Sequence, residues 1–421
     1  MRRLLQLLRG LAVDVRPLRT PDFRRLWTGQ VITIVGTTMT LVAVPTQVFQ
    51  ITGRSLDVGI TSIVALVPLV VFGLLGGAIA DAMDRRVLLL ITAAGTALTS
   101  LLLFAQAALP GSGTLWILWV LTAVQSAFFA VNSPTRSAVI PRLLPRAQVP
   151  SANALNMTVS SAGVIIAPLI AGLLIGAGGL EWIYLVDAVG FLLALILLIR
   201  LPAMPPERMD VSAPKVGPWR SVLEGFAFLR GRQILLMTFV VDIIAMIFGM
   251  PRALFPELAA TTFAGAANAL GWLFAGTAIG ALVAGLSSGW LARAHRQGLV
   301  VLFAIVVWGL AISLFGLTGS LPLAVFWLGV AGAADMVSAV IRSSVLQTAA
   351  PDEMRGRMQG VFIVVVVGGP RLGDLRAGGA AAFSSPEVAL VSGGVVIVAA
   401  MVLVAVFVPA FRRYDARVPT P

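Results

Sequence analysis

The sequence contains no cysteine and a single histidine, His295. Without cysteine the chain has neither a disulfide framework nor a thiol nucleophile. One histidine leaves little material for a zinc or iron site, so we expect no metal and no other cofactor. His295 lies among arginines in a polar segment and is expected at the surface. A membrane-embedded enzyme usually needs histidine, cysteine or facing carboxylates, so these absences argue against an enzyme.

Charged residues are also scarce. They make up 11% of the 421 residues, and 58% are hydrophobic, whereas an ordinary soluble protein carries about 25% charge. Most of the chain must therefore face lipid or other helices. A net charge of +12 would suggest nucleic acid in a soluble protein. Here arginine-rich loops beside a bilayer explain it better, and no nucleic-acid partner is expected.

Apolar runs, by contrast, are abundant, and many reach the roughly 20 residues that span a bilayer. Together they predict an all-α integral membrane protein with twelve transmembrane helices in two six-helix bundles, at 27–199 and 233–409. An amphipathic arm (1–26), a proline-rich linker (200–232) and a tail (410–421) complete the chain. The predicted spans are 27–50, 57–80, 87–108, 114–135, 152–177, 181–199, 233–256, 266–291, 298–317, 320–342, 358–383 and 387–409.

Positive charge lies on one side of these spans. Nearly every lysine and arginine falls in the termini, or in loops on the same side as the termini, apart from Arg54, Arg252, Arg371 and Arg376. Cytoplasmic loops are the ones enriched in these residues. We therefore expect a multi-pass protein of the cytoplasmic (inner) membrane, with both termini in the cytoplasm.

Two loops repeat at about half the chain length. Gly289–Arg296 follows the eighth span as Gly77–Asp84 follows the second, and Arg136 and Arg342 each precede a proline by the same spacing. Repeats of this kind indicate duplicated, pseudo-symmetric units. Such halves complete one another's interface, so a monomer is expected. The alternative is that basic loops simply resemble one another.

The second span is glycine-rich and stops at four charges that must lie at the membrane edge. This pattern predicts an ion-paired loop that locks or releases. Arg136 and Arg342, which close the fourth and tenth spans, are placed to reach such loops and hold the inner gate shut, although snorkelling anchors would have the same pattern. The expected gating residues are Gly77, Asp81, Asp84, Arg85, Arg86, Arg136 and Arg342.

Charge inside lipid is costly, so each ionisable group within a span is a functional candidate. Asp242 is the first candidate for proton coupling, followed by Asp374, Asp187 and Asp335. For Asp187 and Asp242 the alternative is a buried, hydrogen-bonded strut.

The eleventh predicted span is the least apolar. Pro370 removes a helix hydrogen bond, and Arg371 and Asp374 are spaced to pair on one face. With Arg376 the segment has one positive charge in excess, which would attract an anionic or catecholate substrate if that face lines a cavity. If it packs on another helix, the pair is structural. The candidates for the substrate cavity are Arg371, Arg376, Gln47 and Gln125.

Several of these stretches resemble a known family. Gly73–Arg86 is similar to the loop between the second and third helices of major facilitator superfamily transporters, with Ala82 and Asp84 departing from the pattern. Gly163–Gly172 resembles the kinked helix of drug:proton antiporters in that superfamily, which makes Gly163, Pro168 and Gly172 a helix-packing motif. Ser133–Pro141 and Pro351–Arg357 resemble the branch of bacterial exporters similar to the enterobactin exporter.

The resemblance implies a secondary active carrier that works by alternating access. Its expected partners are a small-molecule substrate, protons and the lipid bilayer, and its expected activity is export of a siderophore or another amphipathic compound in exchange for protons. The sequence has no Gly-x-x-x-x-Gly-Lys-Ser/Thr motif for nucleotide phosphates, so the energy is expected from an ion gradient. A multidrug efflux carrier and a transport-inactive sensor or scaffold are the alternatives.

Overall fold

The computed structural model describes residues 14–109, 114–206, 218–349, 355–415 and 417. Within these residues the ordered elements are helices, and no strand occurs. Residues 1–13 of the predicted arm lie outside the described residues, as do linker residues 207–217 and tail residues 416 and 418–421.

The described part of the chain contains twelve long helices, which agrees with the predicted fold. The first six are α1 (Pro21–Thr52), α2 (Ser55–Ala82), α3 (Arg85–Ala108), α4 (Leu115–Leu143), α5 (Val149–Gly176) and α6 (Leu180–Ile199). The second six are α7 (Gln233–Gly249), α8 (Ala269–Leu286), α9 (Gln297–Gly316), α10 (Leu321–Ala349), α11 (Arg355–Phe383) and α12 (Pro386–Phe407). A surface helix, Pro218–Leu229, lies between the two sets.

Eleven helices in the described residues are long and apolar enough to span a membrane. In its described part α11 carries Arg371, Asp374 and Arg376 within the apolar run. Large apolar side chains elsewhere cover the exterior: Trp116, Leu173 and Phe407 are 64%, 61% and 74% exposed. An outer surface of this kind is stable against lipid and not against water, and the chain is a multi-pass membrane protein.

Several helix ends differ from the predicted spans. α7 stops at Gly249 because Pro251 has no N–H to continue the helix; the chain goes on as a 3-10 turn, Arg252–Leu254, and a short helix, Phe255–Ala260. α4 runs on to Leu143, beyond the apolar run. The length of an apolar run reflects the thickness of the hydrocarbon core. The helix itself can be longer, because it continues into the interface as long as its backbone hydrogen bonds are satisfied.

The two halves use the same packing pattern. In the first half, α2 packs on α4 and α3 packs on α6; in the second half, α8 packs on α10 and α9 packs on α12. The halves meet through two equivalent pairs, α2 with α11 and α5 with α8. The molecule is therefore two pseudo-symmetric six-helix bundles, here called the N-bundle (α1–α6) and the C-bundle (α7–α12).

The bundles are in close contact at the end away from the termini, here called the closed end. A Cβ on Gly59 of α2 would lie 2.7 Å from the Asp374 carbonyl oxygen of α11, and a Cβ on Gly271 of α8 would lie 2.7 Å from the Pro168 carbonyl oxygen of α5. Only glycine permits helices to approach so closely.

Hydrogen bonds also link the bundles at the closed end. Ser55 Oγ donates to Glu257, and Asn268 Nδ2 donates to the Leu169 carbonyl oxygen over 3.0 Å. Asn268 has a left-handed backbone (φ 55°), a conformation that asparagine tolerates better than most residues.

Candidate functional site

A cavity of about 730 Å³ lies between the bundles. The N-bundle contributes α5 residues such as Ser160 and Val164, and the C-bundle contributes most of the remaining wall. We call it the central cavity. Its lining includes the charged residues Asp242, Arg252, Asp335 and Arg342, and the apolar residues Met246, Met250, Met336, Phe362 and Trp308.

The cavity is accessible from the end that carries the termini. Leu286, on its wall near the end of α8, is 81% exposed. A Cβ on Gly73 of α2 would meet nothing within 4 Å. The bundles are thus apart at this end and in contact at the other, as required of one state of an alternating-access carrier.

Asp242 and Arg342 form an ion pair on the wall of the central cavity. Arg342 Nη1 lies 2.5 Å from Asp242 Oδ2, and the two side chains are 7% and 3% exposed. Ser338 lies one turn earlier on α10 and accepts a hydrogen bond from Arg342 Nε over 3.0 Å. Removing either charge would leave the other buried and uncompensated, which is strongly unfavourable.

Asp335 is close enough to interact electrostatically with Asp242 and Arg342, and also with Arg252. The cluster therefore contains two carboxylates and two guanidinium groups. Of the predicted proton-coupling candidates, the structure brings Asp242 and Asp335 together here. In this structure Arg342 pairs with Asp242 of α7, and its expected contact with the loop after α8 stays a prediction for the state in which the cytoplasmic end is closed.

Asp374 lies in a smaller cavity of about 360 Å³ toward the closed end, together with Gln125, Arg252 and Arg371. It accepts hydrogen bonds from Ser62 Oγ over 2.9 Å and from the Ala253 backbone N–H over 3.2 Å. Asp374 thus joins α11 to α2 and to the turn after α7.

The expected pair of Arg371 with Asp374 is not formed between these described side chains. Arg371 Nη1 donates to the Val367 carbonyl oxygen, one turn earlier, over 3.2 Å. The carboxylate of Asp374 reaches across to the other bundle because Ser62 and the turn at Ala253 offer it donors.

Two of the substrate-cavity candidates lie in packed regions. Arg376 donates to the Phe248 and Ala389 carbonyl oxygens over 3.2 and 3.0 Å, and so fastens α11 to α7 and α12. Gln47 donates to Gln106 Oε1 over 3.0 Å and accepts from Tyr184 Oη over 2.7 Å inside the N-bundle. Neither is among the described residues that line the cavities above, whereas Arg371 and Gln125 are.

Asp187 is fully buried in α6, and its described partners are uncharged donors. Ser100 Oγ donates to Asp187 Oδ2 over 2.7 Å, and Gln125 Nε2 lies 3.3 Å from the same oxygen. Gly36 of α1 makes room for it, since a Cβ there would lie 2.7 Å from Asp187 Cα. Gln125 is the link between this carboxyl group and the cavities.

In the loop between α2 and α3, the described contacts include those of Asp84, Arg85 and Arg86. Asp84 caps α3, accepting from the backbone N–H groups of Arg86 and Val87, and also accepts from Met204 N over 2.8 Å. Arg85 and Arg86 donate to the carbonyl oxygens of Ala138 and Ile199. Ile199 is the last residue of α6, so its carbonyl oxygen has no helical partner and Arg86 satisfies it. Gly77 and the Asp81 side chain are outside the part of this loop whose contacts the structure describes.

Arg136 also differs from its prediction. Its Nη1 donates to the Leu26 carbonyl oxygen of α1 over 3.0 Å and does not reach the loop. Arg136 and Arg342 nevertheless occupy equivalent helices: Arg136 lies on α4, and Arg342 lies on α10, the counterpart of α4 in the second half. Whether any of these residues gates the carrier stays a prediction.

The helix-packing motif lies where helices approach closely. A Cβ on Gly163 would lie 3.4 Å from the Ile34 side chain of α1, and Gly172 and Pro168 lie against Gly271 at the α5–α8 contact between the bundles. Sequence reasoning missed Glu257, Asn268 and Arg252. The available signal was Pro251, which interrupts the helix. Non-helical backbone within a membrane is tolerated where it is buried in protein or lines a cavity, so the residues after Pro251 were candidates for contacts between the bundles.

Two helical bundles around a cavity with buried charges, in contact at one end and apart at the other, define a membrane transporter with the major facilitator fold. The chain matches the family model described as transmembrane secretion effector over residues 12–419 and belongs to that family. It is a transporter and not an enzyme.

Curated relatives agree with this assignment. The chain is 31% identical over 400 residues to the enterobactin exporter EntS of Escherichia coli O1:K1 / APEC, covering 95% of this chain and 94% of that protein. It has the same identity and coverage with the enterobactin exporter EntS of Shigella boydii serotype 18.

Solved structures share the fold at low sequence identity. The nucleoside transporter NupG superposes with a TM-score of 0.74 at 15% identity, covering 93% of this chain and 99% of that one. A bacterial homologue of the iron transporter ferroportin, in an inward-facing state, superposes with a TM-score of 0.66 at 15% identity, covering 93% and 98%.

Proposed function

We propose that this protein is a proton-coupled exporter of an amphipathic small molecule, with a siderophore as the leading substrate class. The observation that carries the proposal is the buried Asp242–Arg342 pair on the wall of the cavity between the two bundles. The similarity to proteins named enterobactin exporters supports the direction and the substrate class.

The distribution of arginine supports cytoplasmic termini. In that orientation the central cavity is open to the cytoplasm and the closed end faces outward. Substrate enters from the cytoplasm, and an anionic group on it competes with Asp242 for Arg342. The bundles then rock about the cavity, which separates Ser55 from Glu257 and Ser62 from Asp374, and closes the cytoplasmic end.

Return of the empty carrier requires a proton. From the outward-open state, a proton binds Asp242 and removes its charge, which releases Arg342 from the pair. When the carrier faces the cytoplasm again, Arg342 reforms the pair and the proton leaves. Outward movement of substrate is thereby coupled to inward movement of protons. The gating residues of the α2–α3 loop, Asp81 and Asp84 among them, belong to this proposal as contacts of the closed cytoplasmic end.

A multidrug carrier is the second candidate. Met246, Met250 and Met336 lie on the wall of the central cavity, and flexible methionine side chains adapt to ligands of different shape. A wall of this composition favours acceptance of several amphipathic compounds over recognition of one. A transport-inactive sensor would keep the same fold but would show no flux.

Inside-out vesicles with an acidified lumen test these proposals. We expect a catecholate siderophore, added outside, to release protons from vesicles that contain the parent protein, and not from vesicles with Asp242→Asn. Release by lipophilic cations as well would favour the multidrug carrier. If neither class of compound releases protons from the parent, proton-coupled export of these compounds is contradicted.

A further inference from the structure

A second cavity, of about 520 Å³, lies entirely within the N-bundle. Its walls come from α1, α3, α4, α5 and α6, and it is separate in its lining from the central cavity. We call it the N-bundle cavity. Most of its polar lining is uncharged: Gln30, Thr33, Thr37, Thr96, Gln125, Asn132, Ser133, Ser137, Asn153 and Asn156.

Arg136 is the one charged residue among the described residues that line this cavity. It is 9% exposed, and its described hydrogen bonds use Nη1, to the Leu26 carbonyl oxygen, and Nε, to Asn132 Oδ1 at 3.5 Å. Asn132 is itself held by a hydrogen bond to Thr92 over 2.7 Å. Among the described contacts, Nη2 has no partner. A desolvated guanidinium with N–H groups to spare binds an oxyanion strongly.

A second polar group in the wall lacks a partner. Asn156 Oδ1 is enclosed, and no hydrogen-bond donor reaches it within the described residues. An enclosed acceptor without a donor is unfavourable, and if the Asn156 side chain turns toward the cavity that it lines, a ligand hydroxyl would satisfy it. Phe129, Phe191 and Met157 add apolar surface to the same cavity.

We propose that the N-bundle cavity is a binding subsite for a hydroxylated organic anion, with Arg136 on the anionic oxygen and Asn156 accepting from a neighbouring hydroxyl. The inference rests on the proposed export function and specifies its substrate class. In the central cavity an anion must displace a carboxylate, because the arginines there are balanced by Asp242 and Asp335. In the N-bundle cavity the positive charge of Arg136 faces no lining carboxylate among the described residues.

The absence of cysteine makes a direct test available. A single thiol introduced by Met157→Cys reports access to the N-bundle cavity, and Ala339→Cys reports access to the central cavity. The rate of maleimide labelling is measured on purified full-length protein in a lipid-free neutral detergent. The probes are 3,4-dihydroxybenzoate, its uncharged methyl ester, and benzoate, which lacks the hydroxyls.

We expect 3,4-dihydroxybenzoate to protect the Met157→Cys thiol at a concentration at least about tenfold lower than the ester or benzoate requires. With Arg136→Gln, the acid and the ester should protect equally. Arg136→Lys should keep the preference for the acid in direction, because the charge is kept. Asn156→Leu should abolish the preference for dihydroxybenzoate over benzoate. Because Asn156→Leu leaves the contact of Arg136 with α1 untouched, its result does not depend on whether the arginine variants fold.

Equal protection by acid and ester in the parent would overturn the proposal, as would protection confined to Ala339→Cys. A further arm adds phosphatidylglycerol: if this lipid protects the Met157→Cys thiol and dihydroxybenzoate does not, the cavity holds lipid headgroups and the proposal fails. Because labelling needs no proton gradient, binding without proton release in vesicles would contradict the export function alone. Proton release without protection would contradict the subsite alone.

Discussion

Asp242 of α7 and Arg342 of α10 face one another inside the C-bundle, with 2.5 Å between Oδ2 and Nη1, on the wall of the central cavity. A buried pair of this kind contributes little net stability, since desolvation offsets the attraction. It does, however, create two states that differ in charge, paired or released by a proton or a competing anion. The pair is therefore suited to a switch.

The first prediction concerns this pair. Asp242→Asn leaves Arg342 buried without a counter-charge, so the free energy of unfolding should fall by about 3 kcal/mol or more. The double variant Asp242→Asn/Arg342→Gln removes both charges and should recover most of that loss. Unfolding by sodium dodecyl sulfate, followed by circular dichroism, measures both.

Transport should respond differently from stability. The double variant is expected to fold about as well as the parent and yet release no protons from inside-out vesicles on addition of substrate. Proton release by the double variant at the parent's rate would show that the coupling group lies elsewhere, and Asp374 would then be the next candidate.

The second prediction concerns the closed end. Gly59→Ala would place a methyl group 2.7 Å from the Asp374 carbonyl oxygen, which α11 can relieve only by moving away from α2. We expect the outward-open state to gain population. The readout is labelling of a Ser126→Cys thiol, in the cavity toward the closed end, by a membrane-impermeant maleimide added outside cells. Labelling should be several-fold faster than in the parent background.

Gly73→Ala is the matched control for this experiment. It adds the same methyl group to the same helix, at a position where a Cβ meets nothing within 4 Å. Alanine is favoured over glycine in a helix by up to about 1 kcal/mol, so this variant should be at least as stable as the parent and should label at the parent's rate. Equal labelling of the two variants would refute the steric explanation.

Much of the fold was predictable from the sequence. The length of each apolar run reflects the bilayer, so the twelve helices and the halving of the chain follow from hydropathy and from the repeated loops. The close approach at Gly172 was also foreseeable, because small residues spaced along one face serve little purpose except contact.

The pairing of charges was not predictable. Asp242 and Arg342 lie on different helices. Their positions in the sequence do not indicate which side chains of other helices they contact. Arg371 and Asp374 had the right spacing for a helical pair, but Ser62 and Ala253 offered Asp374 donors from other elements. Tertiary neighbours overruled local spacing here, as they do wherever the local interaction is worth only a few tenths of a kcal/mol.

The third prediction separates a strut from a proton site at Asp187. Ser100 and Gln125 donate to its Oδ2, and an asparagine can keep an oxygen at that position. Asp187→Asn should therefore unfold within about 1 kcal/mol of the parent and should retain substrate-driven proton release. Asp187→Leu removes the acceptor and should cost about 1–3 kcal/mol, because two buried donors lose their partner. Loss of proton release in a stable Asp187→Asn variant would make Asp187 a coupling residue.

The fourth prediction concerns Asp84, which has two separable tasks. One carboxylate oxygen, Oδ1, caps α3 by accepting from Arg86 N over 2.8 Å, and the other, Oδ2, accepts from Met204 N in the segment after α6. Asp84→Ala loses both interactions and should lower the free energy of unfolding by about 1–2 kcal/mol. Asp84→Asn keeps an oxygen for the cap, since asparagine is as good an N-cap as aspartate, but its amide nitrogen cannot accept from Met204. Its stability should therefore lie between the alanine variant and the parent.

Hydrogen exchange distinguishes the two tasks. In Asp84→Asn the first turn of α3 should stay protected while the amide of Met204 exchanges faster, and in Asp84→Ala both should exchange faster. If Asp84 instead acted chiefly through ion pairs with Arg85 or Arg86, the uncharged asparagine would resemble alanine in both measurements. That outcome would support the ion-paired loop expected from the sequence, and the capping geometry would then be secondary to charge.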